Sequence, residues 1–251
     1  MTPGGRIIVC LMAVLAGATP GVTAGTDAGA VAATWDRGLY FSGTDTACWG
    51  HYIGLPTTQA DCIRPGPAGA TGKLPVVVFL HGCAGWGSRQ SRVMQLANAN
   101  GYTVFAPDSF ARPGRVRHCG QGGTNKLEMR LEEVEYAVRR LRELPWVDQE
   151  RLVLMGFSEG GFAAARYRGS DFRAVLVLGW GCPRGRLHVP GSVPVLNLVG
   201  RDDQETRWGN RLCSAWFRDG FRAKHVEAGH DVSEDPRAQA IVGEFLREAL
   251  Q

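Results

Sequence analysis

The segment 151–161, RLVLMGFSEGG, is a short apolar run that stops at a serine with glycines two positions before it and two positions after it. This G-x-S-x-G pattern predicts that Ser158 is a nucleophile on a sharp strand-to-helix turn. Small residues are required there because the serine backbone is strained and neighbouring segments pass close to it. With 34 glycines among 251 residues the pattern arises easily by chance, so the prediction depends on partners elsewhere in the chain.

An activated serine requires a base, and the base requires a carboxylate that orients it. Two aspartates, Asp202 and Asp203, follow one predicted strand, and His230 follows the next. The order serine, aspartate, histidine is typical of hydrolases built on a parallel sheet. Asp203 is the preferred acid because it lies three residues after Gly200, where the turn usually delivers the carboxylate in similar hydrolases. Asp202 remains the alternative.

Catalysis by such a serine also requires backbone N–H groups that receive the negative charge developing on a carbonyl oxygen. One predicted donor is the amide of Glu159, directly after the serine. The other is expected in the loop HGCAGW at 81–86, which follows an apolar run, and Cys83 is the predicted donor. His81 is interpreted as a packed residue at a tight turn rather than as a base.

The elements that must position these residues alternate between buried strands and helices from residue 74 onward. Strands are predicted at 74–80, 103–106, 151–155, 174–178, 193–199 and 224–227, and helices at 88–100, 126–144, 159–167, 204–219 and 236–250. This alternation predicts an α/β protein with a mostly parallel, doubly wound sheet covered by helices on both faces. Loops at the carboxyl ends of parallel strands share one edge, which would bring the candidate residues together.

Composition excludes several classes of protein. Hydrophobic residues make up 44% and charged residues 21%, which is ordinary for a globular chain. The net charge is +4 and the arginines are scattered, so nucleic-acid binding is not predicted. There is no C-x-x-C and no close cysteine–histidine cluster, so no metal site is predicted.

The N-terminus has the outline of a secretory signal peptide. Arg6 precedes an apolar run at 7–16, and small-x-small sites allow cleavage after Ala18 or Ala24. The run is too short to span a bilayer, for which about 20 residues are needed. We therefore expect a secreted or periplasmic protein that does not insert stably into a membrane once residues 1–24 are removed.

Export changes how the cysteines are interpreted. Removing Cys10 with the leader leaves an even set, which in an oxidising compartment predicts disulfides. Six cysteines allow 15 connectivities, and the sequence leaves the choice among them open. The pairing of neighbours, Cys48–Cys62, Cys83–Cys119 and Cys182–Cys213, is our expectation because each pair falls within one region of the predicted fold. A Cys83–Cys119 bond would tether the predicted amide donor to the loop at 108–123.

Five segments together resemble a known family: HGCAGW at 81–86, APDSFARPGRVRHC at 106–119, GFSEGG at 156–161, GRDD at 200–203 and GH at 229–230. They look like the dienelactone hydrolase-like branch of the α/β-hydrolase superfamily, over about residues 72–250. The resemblance implies an α/β-hydrolase fold, a compact hydrolase without a large lid domain, and neither metal nor organic cofactor. Ser158 and Gly82 stand where dienelactone hydrolase itself has a cysteine and a glutamate.

The sequence therefore predicts a signal peptide at 1–24, a flexible segment with edge strands around Tyr40 and Tyr52 at 25–72, and an α/β-hydrolase domain at 73–251. The expected function is cleavage of small-molecule carboxylic esters or lactones through an acyl-enzyme on Ser158. The alternatives are a peptidase or thioesterase with the same residues, or a non-catalytic binding protein of the same fold. The oligomeric state is left open.

Four side chains are candidates for contacting the substrate because they lie in or beside loops at the strand ends. They are Trp86, Phe110, Arg112 and Trp180. Aromatic residues in such loops are as often ordinary core packing as pocket walls. The sequence leaves open whether Arg112 or Arg115 reaches the pocket.

Overall fold

The computed structural model describes residues 24–42, 71–119, 125–182, 187–204, 211–213 and 219–251. The helices are α1 (Ala24–Asp36), α2 (Ser88–Ala99), α3 (Lys126–Arg142), α4 (Glu159–Arg166) and α5 (Pro236–Ala249). The strands are β1 (Leu39–Phe41), β2 (Leu74–Leu80), β3 (Thr103–Ala106), β4 (Val147–Phe157), β5 (Ala174–Leu178), β6 (Val195–Gly200) and β7 (Phe221–Val226). Short 3-10 helices lie at Ser109–Ala111 and Val232–Glu234.

The strands of the described residues form a seven-stranded sheet in the order β1-β3-β2-β4-β5-β6-β7. β1 pairs antiparallel with β3, placing Tyr40 opposite Phe105, and the other neighbouring pairs are parallel. After β3 the chain returns past β2 to β4, so the direction of winding reverses between β2 and β4. The carboxyl edge beside such a reversal is where open α/β sheets bind ligands.

Strand β2 shows why the sheet is covered on both faces. Val76, Val78 and Leu80 pack into one hydrophobic cluster together with α1, α3 and α4. Val77 and Phe79 point the other way into a second cluster with α2 and α5. Because successive side chains of a strand alternate between faces, a strand buried on both sides must be apolar throughout. The apolar run at 74–80 meets that requirement.

The predicted doubly wound sheet is confirmed, and three strands, β2, β3 and β5, have the predicted bounds. Strand β4 begins at Val147, four residues before its predicted start. The apolar pattern does not predict this first part, because Gln149 and Glu150 are polar and exposed. Helices α3, α4 and α5 end one or two residues before their predicted ends.

Helix α1 is not predicted from sequence, where its glycine- and alanine-rich composition indicates a flexible segment. The structure packs Val31 and Trp35 into the core, with the ring of Trp35 4.3 Å from that of Phe105. The carbonyl of Thr34 accepts a 2.9 Å hydrogen bond from the amide of Asp108. Tertiary contacts therefore stabilise a short helix in which glycine and threonine offset the high helix propensity of alanine.

Several predictions fall outside the described residues: nearly all of the leader, the strand around Tyr52, most of the helix at 204–219 and the Cys48–Cys62 disulfide. The other two predicted disulfides, Cys83–Cys119 and Cys182–Cys213, are confirmed. Across the described stretches, every helix is too short or too polar to pass through a bilayer.

Candidate active site

Ser158 occupies the turn between β4 and α4 in a strained conformation. Its φ of 55° and ψ of −116° make it the one non-glycine residue with positive φ among those the structure describes. Its amide donates a 2.8 Å hydrogen bond to the carbonyl of Leu178 on the neighbouring strand β5. Such a backbone costs about 1–3 kcal/mol and persists only where the surroundings enforce it.

The glycines of the motif allow this turn to form. A Cβ added at Gly156 would lie 2.1 Å from the carbonyl oxygen of Gly160. A Cβ added at Gly160 would lie 2.0 Å from the carbonyl oxygen of Leu80 at the end of β2. These approaches are closer than any side chain permits, so the spacing of small residues around the serine is a steric requirement.

Ser158, His230 and Asp203 form a continuous hydrogen-bonded chain. Nε2 of His230 lies 2.8 Å from Oγ of Ser158, and Nδ1 of His230 lies 2.9 Å from Oδ2 of Asp203. A neutral imidazole with its proton on Nδ1 donates to the carboxylate and accepts from the hydroxyl. All three residues are buried, with Ser158 8% exposed. The arrangement can therefore move the serine proton to His230.

The structure distinguishes between the two candidate aspartates. Asp203 is buried against His230, whereas Asp202 is exposed. Asp203 follows β6 in a turn in which its amide donates to the carbonyl of Gly200 over 3.3 Å. A Cβ at Gly200 would lie 1.8 Å from the carbonyl oxygen of Gly229, so the loops that carry Asp203 and His230 are in direct backbone contact.

An ion pair holds the His230 loop to helix α2. Asp231, only 2% exposed, accepts a 3.1 Å hydrogen bond from Nη1 of Arg92, and its other oxygen accepts from the amide and hydroxyl of Ser233. The Phe157 ring lies 5.1 Å from the His230 imidazole. The Asp231 contacts hold the backbone beside His230, while the imidazole itself contacts Phe157, Asp203 and Ser158. Sequence reasoning missed Arg92, because nothing local connects it with Asp231.

The loop after β2 lies directly beside the serine. A Cβ at Gly82 would be 3.3 Å from Cβ of Ser158, and the amide of Gly85 donates to the carbonyl of Gly82 over 3.0 Å. This tight turn contains Cys83, while Glu159 is the first residue of α4, where amides have no acceptor within the helix. The two predicted N–H donors thus lie on segments that flank Ser158.

His81 is fully buried and packed, in agreement with its interpretation from sequence. Nε2 accepts a 3.2 Å hydrogen bond from the amide of Ser109, which leaves the proton on Nδ1, 2.7 Å from the carbonyl of Gly82. Burial, reinforced by the positive charge of Arg130, holds the pKa of His81 well below its usual value of 6.5. The neutral ring therefore serves as a structural support beneath the loop.

The arginines at 112 and 115 have different environments. Arg112 pairs with Glu132 and donates to the carbonyl of Met129, so its guanidinium is held against α3. Arg115 instead pairs with the carboxylate of Glu159, directly after the serine. Its side chain is 1% exposed. Sequence reasoning left the Glu159 side chain unexplained, and this ion pair accounts for it.

The candidate aromatic residues lie on both sides of the site. Phe110 stacks on His81 with ring centroids 5.0 Å apart, and Trp86 packs edge-on against His81 at 5.5 Å. Trp180 packs on Phe162 of α4 at 4.9 Å. Phe110 and Trp86 therefore belong to the β2 loop side, and Trp180 to the β5 side. All three are partly exposed, which leaves each with a surface that faces solvent.

No group of three or more histidine, cysteine, aspartate or glutamate side chains among the described residues is arranged to hold a metal ion.

A model of the dienelactone hydrolase family matches residues 62–212, a span that contains Ser158 and Asp203 but ends before His230. No curated protein matches the chain significantly.

Solved structures share the fold at low identity. The esterase Pf2001 of Pyrococcus furiosus aligns with a TM-score of 0.50 at 16% identity over 70% of this chain and 83% of that chain. Est1E of Butyrivibrio proteoclasticus gives a TM-score of 0.48 at 14% identity over 73% and 90%. A dienelactone hydrolase-like promiscuous phosphotriesterase from metagenomic libraries gives 0.49 at 18% over 72% and 89%. The predicted α/β-hydrolase fold is confirmed by the match to Pf2001.

Proposed function

The chain belongs to the dienelactone hydrolase family, and from this premise we propose that it is an exported serine hydrolase that cleaves carboxylic esters or small lactones. The observation that carries the proposal is the hydrogen-bonded chain Ser158–His230–Asp203 at a serine with positive φ. A strained serine joined to an oriented histidine is the arrangement that nucleophilic catalysis requires.

The proposed reaction begins when Nε2 of His230 removes the proton from Oγ of Ser158. The serine oxygen attacks the ester carbonyl carbon, and the carbonyl oxygen becomes an oxyanion. Asp203 orients the imidazole and stabilises its positive charge. His230 then gives the proton to the departing alcohol oxygen, which leaves an acyl-enzyme on Ser158.

Water completes the proposed cycle. His230 takes a proton from the water, the hydroxyl attacks the acyl carbon, and Ser158 leaves with the proton from His230. The products are a carboxylic acid and an alcohol, or a hydroxy acid from a lactone. In both halves the amides of Cys83 and Glu159 are the proposed donors to the oxyanion.

Two features support the remaining parts of the proposal. Disulfides such as Cys83–Cys119 and Cys182–Cys213 form and persist in oxidising compartments, which supports export to the periplasm or cell exterior. Phe110, Trp86 and Trp180 present partly exposed aromatic surface around Ser158, which suits the acyl or alcohol part of a small ester. Arg112 is not among the proposed substrate contacts, since it pairs with Glu132.

A fluorophosphonate probe tests the nucleophile. We expect the wild type to be labelled and Ser158→Ala to remain unlabelled. Ser91→Ala is a matched control, since Ser91 lies in α2 and its hydroxyl is bonded to the carbonyl of Gly87. Labelling that persists in Ser158→Ala would remove the central claim.

Substrate class is tested with p-nitrophenyl esters of increasing acyl length, a thioester and a chromogenic peptide. Hydrolysis of the esters by the wild type, lost in Ser158→Ala, is the expected result. Cleavage of the peptide but not of the esters would show a peptidase, and preference for the thioester would show a thioesterase.

A further inference from the structure

One short segment, residues 109–119, is bonded to both of the residues whose amides are the proposed oxyanion donors. Its Arg115 pairs with the carboxylate of Glu159, and its Cys119 is joined by a disulfide to Cys83. The two attachment points are four residues apart in sequence. The separation between the two donors is therefore linked to the conformation of one stretch of chain.

The ion pair is well protected from water. The side chains of Arg115 and Glu159 are 1% and 13% exposed, and Lys126 adds a second cation 3.8 Å from the other carboxylate oxygen. Burial lowers the pKa of Arg115, and the Glu159 carboxylate opposes that shift. A glutamate in the first turn of α4 is favourable even when exposed, because of the helix dipole. The dipole alone does not explain its burial against an arginine.

Behind Arg115 a buried network connects the segment with α3. Nε of Arg115 donates to the hydroxyl of Ser109 over 3.1 Å, and that hydroxyl donates to Glu133 over 2.8 Å. Glu133 pairs with Arg130, whose Nη2 donates to the carbonyl of His81 over 2.7 Å.

Through Arg130 this network contacts the start of the loop that carries Cys83, since His81 lies two residues before Cys83. The loop that carries Cys83 and the turn that carries Ser158 therefore contact the same buried network of charged residues. These contacts do not involve the disulfide. Buried hydrogen-bonded networks of this kind hold their members in one geometry, although Nε of Arg130 makes no hydrogen bond to the described residues.

We propose that Arg115 and the side chain of Glu159 are positioning residues. They hold the Glu159 amide at the position from which it and the Cys83 amide can both donate to the oxyanion. The proposal rests on the proposed function, because it assigns a role in the same reaction. Neither side chain contacts the reacting atoms. They act through the backbone of the turn that carries Ser158.

The central test is Glu159→Gln, which removes the charge but keeps the backbone N–H in place. Since the carbonyl oxygen gains its negative charge only as the tetrahedral intermediate forms and not in the bound substrate, we expect kcat to fall about 10- to 100-fold while KM changes less than about 3-fold. Affinity for a phenylboronic acid, which forms a tetrahedral adduct on the serine, is expected to fall by the same factor as kcat/KM.

The partner variants test whether the two side chains act as one unit. If they do, kcat in Arg115→Gln and in the double variant R115Q/E159Q falls no further than in E159Q alone, because the same interaction is removed each time. Arg115→Lys retains the charge and is expected to recover part of kcat. Losses that multiply in the double variant would contradict the proposal.

Glu132→Gln is the matched control, since it breaks the Arg112 pair of the same segment on the side facing α3. We expect its kcat to remain within about 2-fold of the wild type, because Glu132 is half exposed and its pair with Arg112 lies away from Glu159. A loss in E132Q equal to that in E159Q would mean that any loosening of the segment suffices, which overturns the specific role of Arg115 and Glu159.

Amide hydrogen exchange gives a readout independent of turnover. In E159Q, peptides covering 81–87 and 156–161 are expected to exchange faster than in wild type, while peptides from β5 remain unchanged. Unchanged exchange at 81–87 would overturn the proposal even in an inactive protein. Failure of the wild type to hydrolyse esters or label at Ser158 would instead refute the proposed function.

Discussion

Gly200 and Gly229 are in backbone contact so close that a Cβ on Gly200 would lie 1.8 Å from the carbonyl oxygen of Gly229. This contact joins the turn after β6 to the turn after β7, and so places Asp203 beside His230. The relative position of these two proposed catalytic residues therefore depends on the absence of a side chain at Gly200.

Gly200→Ala is therefore expected to separate the two turns and lower kcat/KM by about a hundredfold, the size of effect that a displacement of about 1 Å produces. Steady-state kinetics with a p-nitrophenyl ester measure it. Gly229→Ala is the matched control because a Cβ there meets nothing within 4 Å. Equal losses in both variants would contradict this explanation.

Asp203→Asn is expected to lower kcat about ten-thousandfold, because an amide favours the wrong imidazole tautomer. Asp202→Asn changes only an exposed carboxylate and is expected to leave kcat within about 2-fold. Kinetics of the two variants side by side decide which aspartate serves His230. A large loss in the Asp202 variant would contradict the assignment.

The disulfide between Cys83 and Cys119 is expected to support turnover. The variant C83S/C119S keeps the amide at residue 83, so we expect a lower kcat while Ser158 still reacts with a fluorophosphonate. Removing a bond that closes a 36-residue separation also costs about 3–4 kcal/mol of stability in the chain-entropy account. C182S/C213S controls for that loss. Unchanged turnover in folded C83S/C119S would rule out the coupling.

The pair of Arg92 with Asp231 is expected to orient His230. Arg92→Gln removes a half-exposed partner, so we expect kcat to fall about 3- to 10-fold with less than about 1 kcal/mol of lost stability. Arg201→Gln, which breaks the exposed pair with Glu227, is the control. Thermal melts and kinetics separate the two effects, and a loss of stability without a loss of kcat would refute the orienting role.

His81 is expected to make the fold sensitive to acid. Its folded-state pKa lies below its usual 6.5, so the unfolded chain binds more protons and stability falls as pH drops below about 6.5. His81→Gln cannot titrate, so its Tm is expected to fall less between pH 7 and pH 5 than that of the wild type. Parallel curves for the two proteins would contradict the prediction.

Much of the fold follows from local pattern. Apolar runs between turn residues identified β2, β3 and β5, because strands buried on both faces must be apolar throughout. Helix α1 cannot be predicted from such a pattern, because packing of Val31 and Trp35 against residues distant in sequence stabilises it. The polar start of β4 was missed for a related reason, because its exposed residues lack an apolar signal.

Spacing along the chain identifies the serine, the two neighbouring aspartates and the histidine in their order, together with the small residues that let their turns form. Loop packing establishes that Asp203, which the sequence favours over Asp202, meets His230, and that Arg115 rather than Arg112 meets Glu159. Arg115 and Glu159 are 44 residues apart. Which of two nearby charges reaches such a partner depends on how the loops pack against the sheet, and no local periodicity records that.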